Sequence, residues 1–547
     1  MKVIIVGGVA GGATAAARIR RLDEHAEITV FERSGYISYA NCGLPYYIGD
    51  VITDPEELTL QTPESFFKRF RINMKIHHEV ISIHPERKTV SVKNLENGEI
   101  FEENYDKLIL SPGAKPTQPR LPGVGMDKLF TLRTVEDTFR IKEYINKNHP
   151  KSAVLAGGGF IGLELAENLR ELGMDVTIVQ RPKQLMNPFD PDMASMIHNE
   201  MRKHGIKLVL GYTVEGFKEK DNGVEVLLKD NPSLQADMVV LAIGVTPDTA
   251  LAKEAGLELG IKGSIVVNDR METSVPDIYA AGDAVQVKHY VTGDDALISL
   301  AGPANKQGRI IADNICGGDS RYLGSQGSSV IKVFDMTAAT TGINETNAKK
   351  SGLEVDTVIL SPMSHAGYYP GGKVMTMKVV FEKETYRLLG AQIIGYEGVD
   401  KRIDVLATAI HAGLKATQLK DLDLAYAPPY SSAKDPVNMA GFMIDNIAKG
   451  TLKQWHLEDM DKISKDKSVV LLDVRTVGEF NRGHMDGFRN IPVDELRERI
   501  NEIEKGKPVY LICQSGLRSY IASRILEGNG YETYNFSGGF RLYDAAV

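Results

Sequence analysis

Apolar residues follow two different rhythms along this chain. Up to about position 325, short continuous apolar runs alternate with helical stretches. The clearest cases are KVIIV and SAVLA, which open KVIIVGGVAGGATAAARIRRL and SAVLAGGGFIGLELAENLRELG. In each, a strand leads through a glycine turn into a helix. Runs that are apolar throughout belong to strands covered on both faces, so these segments predict parallel sheets flanked by helices. From about residue 326 the pattern becomes alternating, in SSVIKVF and KVMTMKVVF, with helical stretches near 399–413 and 434–448. That combination predicts an α+β domain. The segment IAKGTLKQWHLEDM (447–460) is polar and lacks alternation, and reads as a linker. Beyond it, SVVLLDVR, NIP, PVYLIC and YETYNFSGG predict short strands between helices, a small separate α/β domain.

A chain of 547 residues is too long for one core, and its length predicts three or four domains. Hydrophobic residues at 43% and charged residues at 25% are ordinary for a soluble globular protein. The net charge of −8, with both signs mixed along the chain, argues against nucleic acid as the main partner and leaves room for local basic pockets. No apolar run is long enough to span a bilayer, so no membrane association is expected. MKVIIVGG runs straight into a strand and a turn, with no signal peptide to remove. Cys42, Cys316 and Cys513 are too far apart to form a disulfide framework. They fit a cytoplasmic protein with a few reactive thiols. No metal site is expected.

The first turn carries Gly7, Gly8, Gly11 and Gly12, with Ala10 among them and Val9 where the GxGxxG pattern has glycine. It still meets the demands of a dinucleotide site: a tight turn, close backbone approach to a pyrophosphate, and a helix N-terminus with free N–H groups. Glu32 closes the next strand, TVFER, twenty residues after Gly12, and Arg33 follows it. An acid there accepts hydrogen bonds from ribose hydroxyls. The second turn has the full pattern, Gly157-Gly158-Gly159-Phe160-Ile161-Gly162, but its strand ends in Gln180-Arg181. An arginine at that point pairs with a 2′-phosphate, which favours NADPH with NADH tolerated; the alternative is a solvated surface arginine. Two such units predict two dinucleotides bound face to face. Between them, YISYANCGLPYYIG carries Cys42 with no second cysteine near it. A protein dithiol cycle is therefore out of reach, and Cys42 pairs with a small-molecule disulfide or passes through a sulfenic acid. Thr14, Arg18 and Arg21 share one helix face. That face suits an anionic ligand with a pyrophosphate and a 3′-phosphate, or is simply solvated.

The segment VPDIYAAGDA (275–284) resembles the flavoprotein strand whose aspartate meets the flavin, which implies that role for Asp283. Across residues 1–445 the motif order resembles the flavoprotein disulfide reductases that bind FAD first and NAD(P)H second, with Gly113 and Gly244 assigned to the same sites. SYANCGLPYYIG, GGVAGGAT, HAGYYPGG and AYAPPYSSAKDP are similar to the coenzyme A-disulfide reductase family. NADH oxidases and peroxidases of this fold carry a histidine in the first glycine loop, where Val9 and Ala10 stand here. The resemblance implies coenzyme A contacts from Thr14, Arg21, Ser38, Asn41, Cys42 and Lys434. Arg18 stands where a close relative has glutamine, and Phe70 replaces a lysine, with Arg69 and Arg71 beside it to compensate. It also implies a homodimer in which Tyr368 and Tyr426 act in the partner subunit's site, unless they are interface packing.

LLDVRTVGEFNRGHMDGFRNIP and LICQSGLRSYIASRIL resemble rhodanese. Its six-residue loop runs from Cys513 to Arg518, a length that fits sulfane sulfur, whereas seven residues favour phosphate or arsenate. Loop N–H groups and the helix dipole stabilise a thiolate and then a persulfide, with Arg518 adding positive charge. Asp473 and Arg475 match the family's strand end, and Cys316 matches no motif. The resemblances together imply an FAD-dependent NAD(P)H reductase of coenzyme A disulfide or persulfide, cycling through a Cys42–coenzyme A mixed disulfide and fed sulfane sulfur by the last domain. Plain coenzyme A-disulfide reduction for thiol homeostasis, and a flavoprotein redox sensor, are the alternatives. The expected α/β architecture has two Rossmann-like parts: FAD-binding 1–115 and 247–325 around NAD(P)H-binding 116–246. A dimerisation domain at 326–446, the linker at 447–460 and a rhodanese-like domain at 461–547 complete it.

Overall fold

Both apolar runs that precede a glycine turn become the central strand of a five-stranded parallel sheet. In the computed structural model, which describes residues 1–547, Lys2–Val6 lies between Glu27–Phe31 and Lys107–Leu110, with Asn73–Lys75 and Ile278–Ala280 at the edges. Ser152–Ala156 lies between Asp175–Gln180 and Met238–Leu241, with Lys207–Leu210 and Leu129–Thr131 at the edges. The unbroken apolar strands are buried on both faces, as Val3, Ile4 and Ile5 show. Each sheet has its own three-stranded antiparallel annex: His78–His84, Thr89–Asn94 and Ile100–Asn104 in one half, Val214–Lys220, Gly223–Leu228 and Asn231–Ala236 in the other. The two crossings between halves, Ala114–Pro116 and Val245–Pro247, pair antiparallel with each other. They straddle the expected domain limits near 116 and 246. All of this belongs to one unit, Met1–Lys183 with Gly205–Gly327.

The helix Ala10–Leu22 is built from small residues on its buried face, Gly11, Gly12, Ala13, Ala15, Ala16 and Ala17. That thinness lets the helix Ala301–Ile315 pack against it almost backbone to backbone. A Cβ at Gly308 would stand 2.4 Å from the Gly11 carbonyl oxygen, closer than any side chain tolerates.

The second unit joins Ser328–Val547 to Gln184–His204. Its antiparallel sheet runs in the order Ser329–Val333, Met336–Gly342, Leu388–Gly395, Met375–Glu382, Val355–Leu360. The helices Val399–His411 and Pro436–Ala448 match the two expected stretches. Gln184–His204 falls inside the range expected for NAD(P)H binding, yet it packs with this sheet. The cause is a buried ion cluster: Lys378, only 2% exposed, meets Asp190 at 3.2 Å, Asp192 at 2.8 Å and Glu345 at 2.7 Å. Gln392 donates to the same Asp190 oxygen at 2.6 Å. Such a cluster has no periodic signature in sequence.

The C-terminal sheet is parallel, ordered Gln454–Trp455, Thr533–Phe536, Val509–Ile512, Val470–Asp473, Arg489–Asn490. Its first strand lies within the stretch expected to be a linker, so the free connection ends before Gln454. Trp455 is buried against Phe536 and Phe488, at ring separations of 4.4 and 6.2 Å. A two-residue strand is too short to show alternation, which is why the pattern hid it. The same segment, together with Ser537, docks the domain on the neighbouring sheet's edge strand, Val355–Leu360. Gln454 Nε2 donates to the Thr357 carbonyl at 2.7 Å, His456 meets Asp356 at 3.2 Å, and Ile359 N donates to Ser537 Oγ at 3.1 Å. No helix is long and apolar enough to cross a membrane. Trp455→Ala is expected to destabilise the C-terminal domain by about 3–5 kcal/mol, the usual result of emptying a buried aromatic site. Urea unfolding of the full chain, followed by Trp-independent far-UV signal, checks this; a change below about 1 kcal/mol would show the strand to be dispensable.

Candidate active site

The two turns are built on the same constraint. Gly7 has φ +95°, and a Cβ at Gly12 would lie 1.9 Å from the Gly7 carbonyl oxygen. In the second turn Gly157 has φ +121°, and a Cβ at Gly162 would lie 2.1 Å from the Gly157 carbonyl oxygen. Only glycine permits either approach. Ala10 and Phe160 then start helices whose caps, Val9 and Gly159, offer no side-chain acceptor, leaving the first N–H groups free for a phosphate; Ile161 is the second residue of the latter helix. Glu32 is buried and accepts from Gly8 N and Ser34 N, both at 2.9 Å. Gln180 occupies the equivalent place, accepting from Gly158 N at 3.0 Å. Arg181 beside it is exposed. Gly113 (φ +71°) and Gly244 (φ +104°) fix the paired crossings, through Asp248 N to Gly113 O and Thr117 N to Gly244 O. Arg33 is turned to Asp248, at 2.9 Å. These cradles fit two dinucleotides.

Asp283 sits in the turn Gly282–Ala284 and is paired with Arg133 at 2.6 Å, a residue the sequence reading missed. Cys42 lies exposed on the one-turn helix Asn41–Gly43, ahead of Leu44–Ile48. Ser38, held at φ +45°, anchors this segment by donating its N–H to the Gly8 carbonyl at 2.9 Å. Neighbouring atoms crowding the sulfur push the Cys42 thiol pKa up, Glu164 pushes it further, Arg133 pulls it back and Asp283 adds to the rise. Glu164, on the second turn's helix, is itself raised to about 7, by burial first and by Glu167 second. Nothing in the spacing of LELAEN marks Glu164, because its partner is distant in sequence.

The residues assigned to coenzyme A divide into free and occupied. Arg21, Arg69 and Arg71 are exposed. Arg18 is partly engaged: its Nε donates to Asp313 at 2.8 Å. Thr14 Oγ1 donates to Asn305 at 2.5 Å. Phe70 packs on Phe66 and the core, so the lysine it replaces has no structural substitute at that position. In the other unit, the Tyr368 and Tyr426 hydroxyls share a hydrogen bond at 2.8 Å, and both rings are exposed, at 76% and 46%. That bond raises the Tyr426 pKa. Lys434 is exposed.

At the C-terminal loop, Cys513 is 1% exposed, and its sulfur accepts from Gly516 N at 3.1 Å and Ser519 Oγ at 3.2 Å. Gly516, with φ +98°, caps the helix Leu517–Glu527. Gly539 presses on the loop, since a Cβ there would lie 2.7 Å from the Gln514 backbone. Arg518, expected to add positive charge, is held bidentately by Glu479, both distances 2.7 Å, and the pair lowers the Glu479 pKa to about 2. Asp473 and Arg475 are scaffold. They pair with each other at 2.7 Å, and Arg475 stacks 3.8 Å over Phe540. Cys316 is half-buried after the helix Ala301–Ile315 and joins none of these sites.

A fold of two dinucleotide cradles flanking an exposed cysteine defines a class, and the comparisons agree with it. The chain belongs to the pyridine nucleotide-disulphide oxidoreductase family, whose model matches residues 1–308; that family's dimerisation domain matches 328–436 and a rhodanese-like domain matches 456–546. It is an FAD-dependent oxidoreductase of this family fused to a rhodanese domain. Among particular proteins, coenzyme A disulfide reductase of Staphylococcus aureus (strain JH9) is 39% identical over 443 residues, 81% of this chain and 99% of the relative. The crystal structure of reduced Bacillus anthracis CoADR-RHD superposes with a TM-score of 0.98 at 49% identity, covering 100% of this chain and 98% of that one. A NAD-dependent persulfide reductase from A. fulgidus gives 0.93 at 38% identity, covering 99% and 100%.

Glu164→Gln removes a negative charge that opposes the Cys42 thiolate, so the thiol pKa is expected to fall. Alkylation rates of Cys42 across pH read this directly; an unchanged or higher midpoint would show that the carboxylate does not reach the sulfur.

Proposed function

We propose that the chain reduces coenzyme A disulfide and coenzyme A persulfide with NAD(P)H, as a homodimer, through Cys42 alone. The observation that carries this is the isolation of Cys42: exposed, anchored to the first dinucleotide turn through Ser38, and without a second cysteine in its segment. Glu32, Asp283 and the uncapped helix Ala10–Leu22 would hold FAD; Gln180, Arg181 and the helix Phe160–Glu171 would hold the nicotinamide nucleotide. When bound, the flavin relays an electron pair from the nicotinamide to a disulfide.

Cys42 rests as a mixed disulfide with coenzyme A. Two electrons and one proton break that S–S bond, leaving the Cys42 thiolate and coenzyme A thiol. The thiolate attacks the coenzyme A sulfur of the next substrate, and the new Cys42–coenzyme A bond forms as coenzyme A thiolate or hydrosulfide leaves. Tyr368 of the partner subunit and Tyr426 of the partner subunit supply a proton to the departing sulfur. Arg21, Arg69, Arg71 and Lys434 take the phosphates, with Thr14, Ser38 and Asn41 along the arm. The rhodanese-type domain favours the persulfide. Cys513 attacks the outer sulfur of a persulfide donor, releasing its thiolate, and coenzyme A then takes that sulfur from Cys513. Plain disulfide reduction is the second reading, favoured by the deep burial of Cys513 and the neutralised Arg518.

Cys42→Ser is expected to abolish turnover on every sulfur substrate while NAD(P)H still bleaches the flavin in stopped flow. Retention of a tenth of wild-type turnover would sink the single-cysteine reading. Cys513→Ser should leave coenzyme A-disulfide reduction nearly untouched and strongly reduce sulfane-sulfur transfer, assayed side by side. If neither activity moves, the last domain is silent and the second reading stands. NADPH is the expected preferred nucleotide, and Arg181→Glu should shift kcat/KM towards NADH; a wild type that prefers NADH would make Arg181 a surface residue only.

A further inference from the structure

The two tyrosines stand on separate loops, and exposed phenols on loops lose their mutual geometry easily. What holds the loops is one buried side chain on a helix behind them. Arg402, 1% exposed in the helix Val399–His411, reaches all the segments concerned. Its Nη2 donates to the Ser364 carbonyl at 2.9 Å, at the base of the loop carrying Tyr368. The same nitrogen donates to the Tyr430 carbonyl at 3.3 Å and to Ser431 Oγ at 3.1 Å, in the loop carrying Tyr426. Nη2 and Nε also meet Asp435 Oδ2, at 3.0 and 3.2 Å. Asp435 adjoins Lys434 and caps the helix Pro436–Ala448 by accepting from Val437 N. Ser431 Oγ donates to the same carboxylate oxygen at 2.6 Å, and Ala366 N donates to Ser431 O at 3.0 Å, which stitches the two loops together. Room for the guanidinium is built in: Gly398 has φ +70°, and a Cβ there would lie 2.2 Å from Arg402 Nη1.

We infer that Arg402, with Asp435 and Ser431, is the positioning device that sets the hydrogen-bonded Tyr368–Tyr426 pair for the oxidative half of the reaction. The inference rests on the proposed role of the tyrosines. The planar fork of arginine suits the task because it serves several acceptors in fixed directions from one buried point, which an ammonium does not. Arg402 itself meets no substrate. It acts through the loops, and its loss shows as misplacement of the phenols.

The test uses the full-length flavoprotein and both half-reactions in stopped flow. Arg402→Lys is expected to slow reoxidation by coenzyme A disulfide roughly 10- to 100-fold, the range that misplacement by about 1 Å produces. Flavin reduction by NAD(P)H, flavin content and dimer mass should not change. In a Tyr426→Phe background the same substitution is expected to add little further, because the group it positions is gone. Should Arg402→Lys fail to fold, Ser431→Ala carries the test, with a smaller slowing in the same half-reaction and the same loss of effect beside Tyr426→Phe. Full additivity with Tyr426→Phe, or equal slowing of both half-reactions, overturns the inference, as does a wild-type rate in either variant. If Tyr368→Phe and Tyr426→Phe are themselves at wild-type rates, the tyrosine role in the proposed function fails instead, and that outcome is read from the single variants alone.

Discussion

The close approach of a helix to the strand it follows, made twice, is the constraint on which the rest of the first unit depends. At both turns a side chain on the closing glycine would sit about 2 Å from a carbonyl oxygen, well inside any tolerable contact. Past this close approach the helices start at caps, Val9 and Gly159, that give their first N–H groups no side-chain acceptor. The carboxylate of Glu32 and the carboxamide of Gln180 then take the same single N–H in their respective halves. One geometric restriction thus produces two anion cradles and places the acidic and the neutral selector in matching positions. Cys42 inherits its place from the first of them through the Ser38 N–H on the Gly8 carbonyl.

In the second unit, order comes from buried charge. Lys378 gathers three carboxylates and draws the Gln184–His204 segment to the antiparallel sheet, while Arg402 and Asp435 tie loops and a helix start together. Ions of this kind add little net stability compared with apolar packing, but removing one partner leaves the other uncompensated in the interior. Their value lies in fixing which segments meet. This unit therefore carries the hydrogen-bonded Tyr368 and Tyr426 at the surface on loops whose bases are pinned from inside.

What could be read in the sequence follows from these two modes. Local signals were legible: Gly7 to Gly12, Gly157 to Gly162, the acid at 32, the cysteine loop from 513 to 518, and the change from continuous to alternating apolar runs. Contacts between residues remote along the chain were not. Arg133 on Asp283, the charge of Glu164 acting on Cys42, Asp313 on Arg18 and Glu479 on Arg518 each require knowing which surfaces meet. Two of these matter for the site directly. Arg18 and Arg518, both expected to supply positive charge, each meet a carboxylate that the sequence pattern does not mark. Trp455 was hidden for a different reason, since a strand of two residues leaves no rhythm to detect.

The docking of the C-terminal domain has a consequence for the sheet beneath it. Val355–Leu360 is the outermost strand, and the row of peptide groups along such an edge invites another chain to add itself. Here Gln454 and Ser537 occupy the Thr357 carbonyl and the Ile359 N–H, so the fused domain shields part of that edge. Cutting the chain ahead of Gln454 would uncover an apolar, β-branched strand with open hydrogen-bonding groups, a template for strand addition between molecules. A family member that ends before this domain has to protect the same edge by other means, and its solubility is bound up with how it does so.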